Sequence, residues 1–146
     1  MLSISRSLVM LFALGLLVNP LLAQDKPYRE GSVWSMSFVK VKNGLFDDYM
    51  SELFPVRQRI MEEAKKQGLI LSHKVFVGNS SSRDDWDVLL MEEYKNWAAL
   101  DGLSAKFDAV NAKLVGSEEK RTQLMLKRSE VRELLGDKLI QELVPK

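Results

Sequence analysis

Apolar residues are concentrated in two segments near the middle of the chain, Leu69–Gly78 (LILSHKVFVG) and Trp86–Tyr94 (WDVLLMEEY). Both segments are rich in β-branched and aromatic residues, which are typical of β-strands. The polar run NSSSRDD between them is too long for a tight turn and contains no glycine, so it does not fix the strand register. The pattern predicts two strands folded back on each other as a hairpin, around which the other elements can be arranged.

The segment before the hairpin contains a predicted strand and a predicted helix. Val33–Val41 (VWSMSFVKV) is apolar at both odd and even positions, which is typical of a strand covered on both faces. Leu45–Gln67 has apolar residues at steps of three and four, and Gly68 follows as a helix-ending residue. Pro55 in the interior predicts a kink, or two helices with Pro55 opening the second.

Two more helices and a strand are predicted after the hairpin. Asn96 can cap a second helix that begins at the next residue. A break at Gly116 precedes a third helix over residues 117–135, which ends at Gly136. Residues 139–144 (LIQELV) predict a closing strand, with a continuation of the helix as the alternative.

The order of these elements predicts an α+β fold. It corresponds to the βαββαβ unit of ferredoxin-like folds, with a four-stranded antiparallel sheet and one extra helix. The two main helices are expected to cover one face of the sheet, and the other face also needs a cover, because a large exposed apolar sheet favours aggregation. The apolar stripe of the third helix (Leu124, Val131 and Leu135) is narrow. We therefore expect a second copy of the chain to provide that cover, which gives a homodimer.

Residues 1–23 are expected to be a secretory signal peptide. They contain a basic residue, a short apolar run, a helix breaker and a small residue in the order of such a signal: Arg6, Leu8–Val18, Asn19-Pro20 and Ala23. The apolar run of about a dozen residues is shorter than the roughly 20 of a membrane-spanning helix, so no permanent membrane anchor is expected. A polar leader over residues 24–32 and a single domain over residues 33–146 follow. The mature protein is expected in the periplasm or outside the cell.

The composition excludes several kinds of function. Lys and Arg number 21 and Asp and Glu number 20, and the two counts become equal once Arg6 is removed with the signal peptide. Without a basic excess, neither nucleic acid nor an anionic membrane is an expected partner. The chain has no cysteine and one histidine, which excludes disulfides, thiolate metal sites and any site within one chain that needs two imidazoles. No metal site is predicted.

Four residues are candidates for chemistry or binding. Histidine is the residue type whose charge changes near neutral pH, so His73 could act as a general base or an axial haem ligand. The alternative is a core or interface histidine whose hydrogen bonds are satisfied. Trp34, Trp86 and Tyr94 could line a flat apolar pocket for a ligand, or they could belong to the core.

Clusters of charged residues are interpreted as exposed to solvent. The acidic residues of Asp84–Asp87 lack the glycine and spacing of a calcium loop and predict a solvated turn. Alternating acids and bases in the third helix, among them Arg128 and Arg132, predict a solvated helix face. Glu92 and Glu93 are neighbours in a strand and point to opposite faces, so they cannot act as a carboxylate pair.

The segment Val33–Phe107 resembles the dimeric α/β-barrel superfamily, which includes antibiotic-biosynthesis-type monooxygenases and the NIPSNAP and stress-responsive barrel groups. The segments DDWDVLLMEEYKNWAALDGL and GSEEKRTQLMLKRSEVRELLG are similar to a set of secreted bacterial proteins of that type. The resemblance implies two sheets packed face to face across a dimer, with any ligand between sheet and helices. Some superfamily members degrade haem or oxidise aromatic substrates without a metal, but none of their residue roles transfers to this chain position by position.

These observations lead to two main hypotheses about function. The first is a secreted or periplasmic homodimer that binds a small apolar ligand or serves as a structural module, with no cofactor. The alternative is a cofactor-independent monooxygenase, or a haem-binding or haem-degrading enzyme, centred on His73. A third hypothesis is a partner-binding subunit that uses the helix over residues 117–135 as its contact surface.

Overall fold

The computed structural model describes residues 26–146, and the predicted signal peptide over residues 1–23 lies outside the described residues. In chain order the elements are β1 (Tyr28–Val41), α1 (Phe46–Lys66), β2 (Ser72–Val77), β3 (Val88–Tyr94), a 3₁₀ helix (Trp97–Leu100), α2 (Leu103–Leu114), α3 (Glu118–Val131) and β4 (Arg132–Pro145). Between residues 26 and 146, no helix is both long enough and apolar enough to cross a membrane.

The strands form one antiparallel sheet in the order β2-β3-β1-β4. β1 lies between β3 and β4, and its residue Val33 is opposite Tyr94 on one side and Gln141 on the other. α1 connects β1 to the β2-β3 hairpin, and α2 and α3 connect the hairpin to β4. This arrangement confirms the predicted βαββαβ order with one extra helix.

The last strand begins earlier than predicted. The third helix ends at Val131 and not at Leu135, and β4 starts at the next residue. The Lys42 N–H donates to the Val131 carbonyl oxygen (2.9 Å). β4 then pairs with β1 from Arg132 to Pro145. Gly136, which predicted a helix end, lies within β4 beside a register shift, where β4 has one residue more than β1. The alternative of a helix continuing over residues 139–144 is wrong.

β1 also starts earlier than predicted, at Tyr28 and not at Val33. Tyr28–Glu30 pair with Leu143–Pro145 at the end of β4. The segment YREGS is polar and shows no apolar alternation, so its strand conformation depends on a partner at the other end of the chain. Part of the predicted polar leader therefore belongs to the sheet.

α1 is one continuous helix through Pro55, so the alternative of two helices is wrong. Pro55 is exposed, so water can reach the backbone carbonyl that its missing N–H leaves free. The side that faces the sheet carries buried residues at helical spacing: Tyr49, Leu53, Met61 and Ala64.

The predicted second helix is divided in two. Asn96 caps the 3₁₀ helix as predicted, since its Oδ1 accepts a hydrogen bond from the Ala99 N–H (3.1 Å). Gly102 then interrupts the chain with a φ of 63°, a conformation that glycine adopts without steric cost. α2 therefore begins only at Leu103.

The helices lie on one face of the sheet. Beneath them are two clusters of buried residues: Val39, Val41, Tyr49, Leu53, Val88 and Leu90 in one, and Val33, Met61, Ala64, Ile70 and Tyr94 in the other. α3 lies in the same layer, because Lys127 forms an ion pair with Glu52 of α1 and Arg121 forms one with Asp108 of α2. The extra helix therefore does not cover the second face of the sheet.

We call that second face the open face, because no helix among residues 26–146 covers it. It is formed by the side chains that point away from the helices: the apolar Trp34, Met36, Phe38, Phe76, Leu89 (itself buried), Met91 and Ile140, and the polar Ser72, Lys74, Glu93 and Lys138. Phe76 is 46% exposed and Ile140 is 36% exposed. The Lys74 Nζ lies 4.9 Å from the centre of the Trp34 ring. β1 is thus apolar on both faces, as predicted.

The predicted solvated turn is confirmed at the exposed Asp84, and two further aspartates, Asp85 and Asp87, hold the loop between β2 and β3 in place. Asp85 accepts a hydrogen bond from the Trp86 N–H (2.9 Å). Asp87 accepts hydrogen bonds from the Val41 N–H (2.8 Å) and from the Lys40 Nζ (3.3 Å). Burial raises the pKa of the Asp87 carboxyl, but these hydrogen bonds and one from Ser80 outweigh burial and hold that pKa below its usual value.

We expect Asp87→Asn to lower the free energy of unfolding at pH 7 by about 1.5–3 kcal/mol, the usual contribution of hydrogen bonds to a charged group. Because folding lowers the pKa of Asp87, its contribution is complete above the unfolded-state pKa of about 3.9 and is lost as the pH falls through the folded-state value. Urea unfolding at pH 7 and pH 3 measures the free energy of unfolding, and the difference in this energy between variant and wild type should be smaller at pH 3. Asp84→Asn, at an exposed position of the same loop, is the control. Equal losses in the two variants would contradict the assignment.

Candidate ligand site between the sheet and the helices

A cavity of about 210 Å³ lies between the sheet and the helix layer. Its apolar walls are Leu53, Ile60, Met61, Leu90 and Phe107, and its polar walls are Arg57, Asn111, Arg128 and Arg132. We call it the arginine cavity, because three guanidinium side chains line a space that is otherwise mainly apolar.

Three separate elements bring the arginines together. Arg57 lies four residues from both Leu53 and Met61, so it shares their sheet-facing side of α1. Arg128 is in the last turn of α3. Arg132 is the first residue of β4, and the direct connection between α3 and β4 places both side chains beside the cavity.

A buried ion pair forms one edge of the site. Arg57 donates through its Nη2 to the Glu92 Oε1, and the two side chains are only 11% and 12% exposed. The Arg57 Nε is also buried and has no hydrogen-bond partner among the described residues. Burial and the charge of Glu92 raise the pKa of the neighbouring Tyr94 to about 12, so its hydroxyl stays protonated at neutral pH.

Arg132 is held by a tyrosine. Its Nη1 donates to the Tyr49 hydroxyl oxygen (3.1 Å), and its guanidinium lies 5.6 Å from the centre of the Tyr49 ring. The contact combines a hydrogen bond with a cation–π interaction. Tyr49 fixes the orientation of Arg132 but does not neutralise its charge.

Arg128 is the least satisfied of the three arginines. It is partly buried, and its guanidinium makes no hydrogen bond or ion pair with any other side chain of residues 26–146. Burial, and after it the positive charges of Arg132 and Arg57, lower its pKa below the usual arginine value. The cavity therefore contains a positive charge that the described chain leaves without a partner.

A second space adjoins the arginine cavity. It has a volume of about 320 Å³, lies among α1, α2 and α3, and shares Ile60, Asn111 and Arg128 with the cavity. Its remaining walls are mainly apolar, with one ion pair: Val56, Val115, Leu124, Met125, Asp108 and Arg121. A ligand in the arginine cavity could extend into this apolar space.

The structure distributes the predicted site residues over both faces of the sheet. Trp34 lies on the open face, and Trp86 packs edge-on against Phe38 of that face, with ring centres 6.3 Å apart. Tyr94 is buried on the helix side. The three aromatic residues therefore do not line one pocket within a single chain.

His73 faces the helices from β2. Its Nε2 is 3.5 Å from the Glu62 Oε1 of α1, and the imidazole is 15% exposed. On β3 it is opposite Glu92, but it does not line the arginine cavity. His73 is therefore near the candidate site without being part of its wall.

The sequence interpretation missed the arginines. It placed Arg128 and Arg132 on a solvated helix face, whereas both line the cavity, and Arg132 belongs to a strand. The prediction that Glu92 and Glu93 face opposite sides is confirmed, because Glu92 pairs with Arg57 and Glu93 accepts from the Ser72 hydroxyl (2.6 Å). A single arginine in the apolar stripe of α1 was the one available signal for a buried charge.

Within residues 26–146, no three His, Asp or Glu side chains converge closely enough to hold a metal ion. The polar groups that reach the cavity are guanidinium groups and one amide. Guanidinium groups donate hydrogen bonds and do not accept them. The arrangement is therefore suited to binding and orienting a ligand with acceptor oxygens.

Comparison with known proteins defines the fold. No protein-family model matches the chain, and no match was found among curated proteins. A solved structure from Shewanella oneidensis is similar with a TM-score of 0.50 and 13% identity, over 80% of this chain and 96% of that one. Two dimeric ferredoxin-like proteins from uncultured marine organisms have 17% and 10% identity over 79% and 81% of this chain and 96% and 90% of theirs, with TM-scores of 0.45 and 0.49.

The strand order β2-β3-β1-β4 in one antiparallel sheet, with the helices on one face and the chain order βαββαβ, is that of a ferredoxin-like fold. The chain has a ferredoxin-like fold. The predicted fold is thereby confirmed, and the resemblance to the dimeric α/β-barrel superfamily, with its monooxygenases and NIPSNAP proteins, stays a prediction. A ferredoxin-like fold supports many unrelated activities, so function has to be argued from the arginine cavity and the open face.

Proposed function

We propose that this protein is an exported homodimer that binds a small, mainly apolar ligand in the arginine cavity of each subunit. The observation that carries the proposal is the cavity itself, about 210 Å³ in size, in which apolar side chains and convergent donor groups face the same space. Ligand sites in proteins usually combine an apolar lining with a small number of polar groups that fix orientation. The adjoining space of about 320 Å³ extends the volume toward the size of such sites.

The open face supports the homodimer. Its apolar side chains come from all four strands, and a contiguous apolar patch of this kind usually marks an interaction surface. Its polar residues include charges of both signs, positive at Lys74 and Lys138 and negative at Glu93, as the polar rim of an interface does. Packing two open faces together would bury the apolar centre and allow opposite charges to meet.

The outer edge of β4 gives further support. β4 is the last strand of the sheet, so its outer edge is unpaired among the described residues. β4 also carries exposed leucines, including Leu134 (50%) and Leu139 (47%), which are opposite Val39 and Ser35 of β1 and therefore lie on the helix side of the sheet. A long, apolar edge strand invites aggregation unless a partner covers it. A second subunit could cover this edge and the open face together.

Ligand binding receives more support than catalysis centred on His73. The imidazole is directed at Glu62 and does not line the arginine cavity. A catalytic base must reach the proton that it abstracts, directly or through one water. The cavity wall instead offers arginines and Asn111, which bind and orient.

Native mass spectrometry of the mature protein, purified gently from its own host, tests the proposal. We expect a mass of two mature chains with a retained small molecule, bound once per chain and released on denaturation. Purification from the periplasm or the medium would support export, and a mature chain starting near Gln24 would support the signal peptide. A dimer that retains nothing and also binds nothing in a screen of small apolar compounds would contradict the ligand-binding role.

A further inference from the structure

The arginine cavity has an excess of positive charge. Three guanidinium groups line it, and Glu92 is the carboxylate that pairs with one of them. Glu52 acts electrostatically on Arg128, but it forms its own ion pair with Lys127. Arg128 and Arg132 thus have no carboxylate partner in the part of the chain that the structure describes.

Such an excess is unusual in a partly buried site. Charged groups removed from water are normally paired or hydrogen-bonded, because their desolvation is costly. Three arginines that line one cavity also repel one another. Burial is the main cause of the lowered pKa of Arg128, and the charges of Arg132 and Arg57 add to it. An anion placed among them would remove both costs.

We infer that the ligand is an amphipathic carboxylic acid, with its carboxylate at Arg128 and Arg132 and its apolar body in the adjoining space among α1, α2 and α3. This inference rests on the proposed ligand-binding function and adds the chemical class. Arginine suits a carboxylate because its planar fork can donate two parallel hydrogen bonds. The free donors of Arg128 and the amide of Asn111 lie on the boundary between the two spaces.

The walls favour an acid with an apolar body over a small inorganic anion. Leu53, Met61, Leu90 and Phe107 line the arginine cavity, and an inorganic anion would leave this apolar surface unfilled. The adjoining space is lined by Val56, Leu124 and Met125. Methionine adapts its shape to a bound apolar group. An aliphatic acid fills both spaces and neutralises one of the two unpaired charges.

Calorimetric titration of the mature protein with octanoate, 1-octanol and inorganic phosphate tests the inference. We expect octanoate to bind, octanol to bind at least tenfold more weakly, and phosphate to compete poorly. Arg128→Gln should lower the affinity for octanoate by about 10- to 100-fold, as expected for loss of hydrogen bonds to a charged group. The affinity for octanol should not change. Arg83→Gln, which removes the same charge from the exposed loop between β2 and β3, is the matched control.

Each alternative result has a distinct meaning. If octanol binds as tightly as octanoate and Arg128→Gln has no effect, the inference that the ligand is an acid is wrong, but the proposed ligand-binding function is not contradicted. If phosphate binds as tightly as octanoate, the inference that the ligand has an apolar body is wrong. Binding of neither octanoate nor octanol would overturn the inference and count against the proposed function as well.

The stability of the unliganded variant separates a binding role from a structural one. Because Arg128 has no partner and is repelled by its neighbours, we expect the thermal midpoint of unliganded Arg128→Gln to equal or exceed that of the wild type. A markedly lower midpoint would assign Arg128 to the fold and overturn its role as a ligand anchor.

Discussion

Replacing Glu92 with glutamine is expected to reduce the free energy of unfolding by about 3–5 kcal/mol, the usual cost of breaking a buried ion pair by removing one partner. Glu92 and Arg57 are 12% and 11% exposed, and Glu92 accepts the hydrogen bond from the Arg57 Nη2. The variant leaves the Arg57 charge uncompensated beside Arg128 and Arg132. Urea unfolding with linear extrapolation measures the loss.

Two comparisons make this prediction specific. Glu52→Gln breaks the ion pair with Lys127, whose side chain is 60% exposed, and should cost far less because water screens exposed pairs. The double variant Arg57→Met with Glu92→Leu should recover much of the lost stability, because it removes the unpaired charge as well. A Glu92→Gln variant as stable as the wild type would show that water reaches the pair freely.

The Glu92 variant also connects the fold to the inferred ligand. Without Glu92, all three arginines lack a carboxylate partner, so a bound acid should stabilise the variant more than it stabilises the wild type. Adding octanoate is therefore expected to restore part of the lost stability, whereas octanol should not. Restoration by both compounds would mean that filling the apolar space, and not neutralising charge, is what matters.

The pattern of the sequence predicted those parts of the fold that depend on local periodicity. The β-branched and aromatic residues of the hairpin and the period near 3.6 in α1 correctly identified these elements. The apolar character of both faces of β1 also predicted a sheet that needs a second cover, and the position of α3 on the helix side agrees.

The start of β4 could not be read locally. Leu124, Val131 and Leu135 continue a helical stripe, and Gly136 resembles a helix end. The outcome depends on pairing with β1, where Val39 is opposite Leu134. Such long-range hydrogen bonds override a short local preference, and no single segment records them.

The candidate site could be predicted even less. Its arginines come from α1, α3 and β4, and their proximity follows from the turn of the chain at Val131 that was misassigned. The proposed aromatic pocket required knowing which face each residue occupies. Trp34 is adjacent to the buried Val33 and therefore faces the other side, whereas Tyr94 lies opposite Val33 and shares its side. This register belongs to the long-range pairing of β1 with β3, which neither segment records by itself.

Introducing a charge at the centre of the open face is expected to convert the proposed dimer to monomers. Met36 lies on the central strand β1, opposite Met91 on one side and Lys138 on the other. A two-fold axis would bring two copies of Met36→Asp into the same interface, so that two carboxylates, one from each subunit, would lose their water on association. At about 3 kcal/mol for each desolvated carboxylate, the dissociation constant should rise by about 10⁴-fold.

Light scattering and analytical ultracentrifugation at micromolar concentration measure the change, and circular dichroism checks that the variant remains folded. Phe54→Asp is the matched control, because Phe54 is an exposed apolar residue (44%) on α1, away from the open face. It should leave the dimer intact. Because α3 is tied to α1 and α2 and cannot also cover the open face, a wild-type monomer would leave that apolar face in water. A folded Met36→Asp variant that remains dimeric would instead place the interface elsewhere, with the outer edge of β4 as the next surface to test.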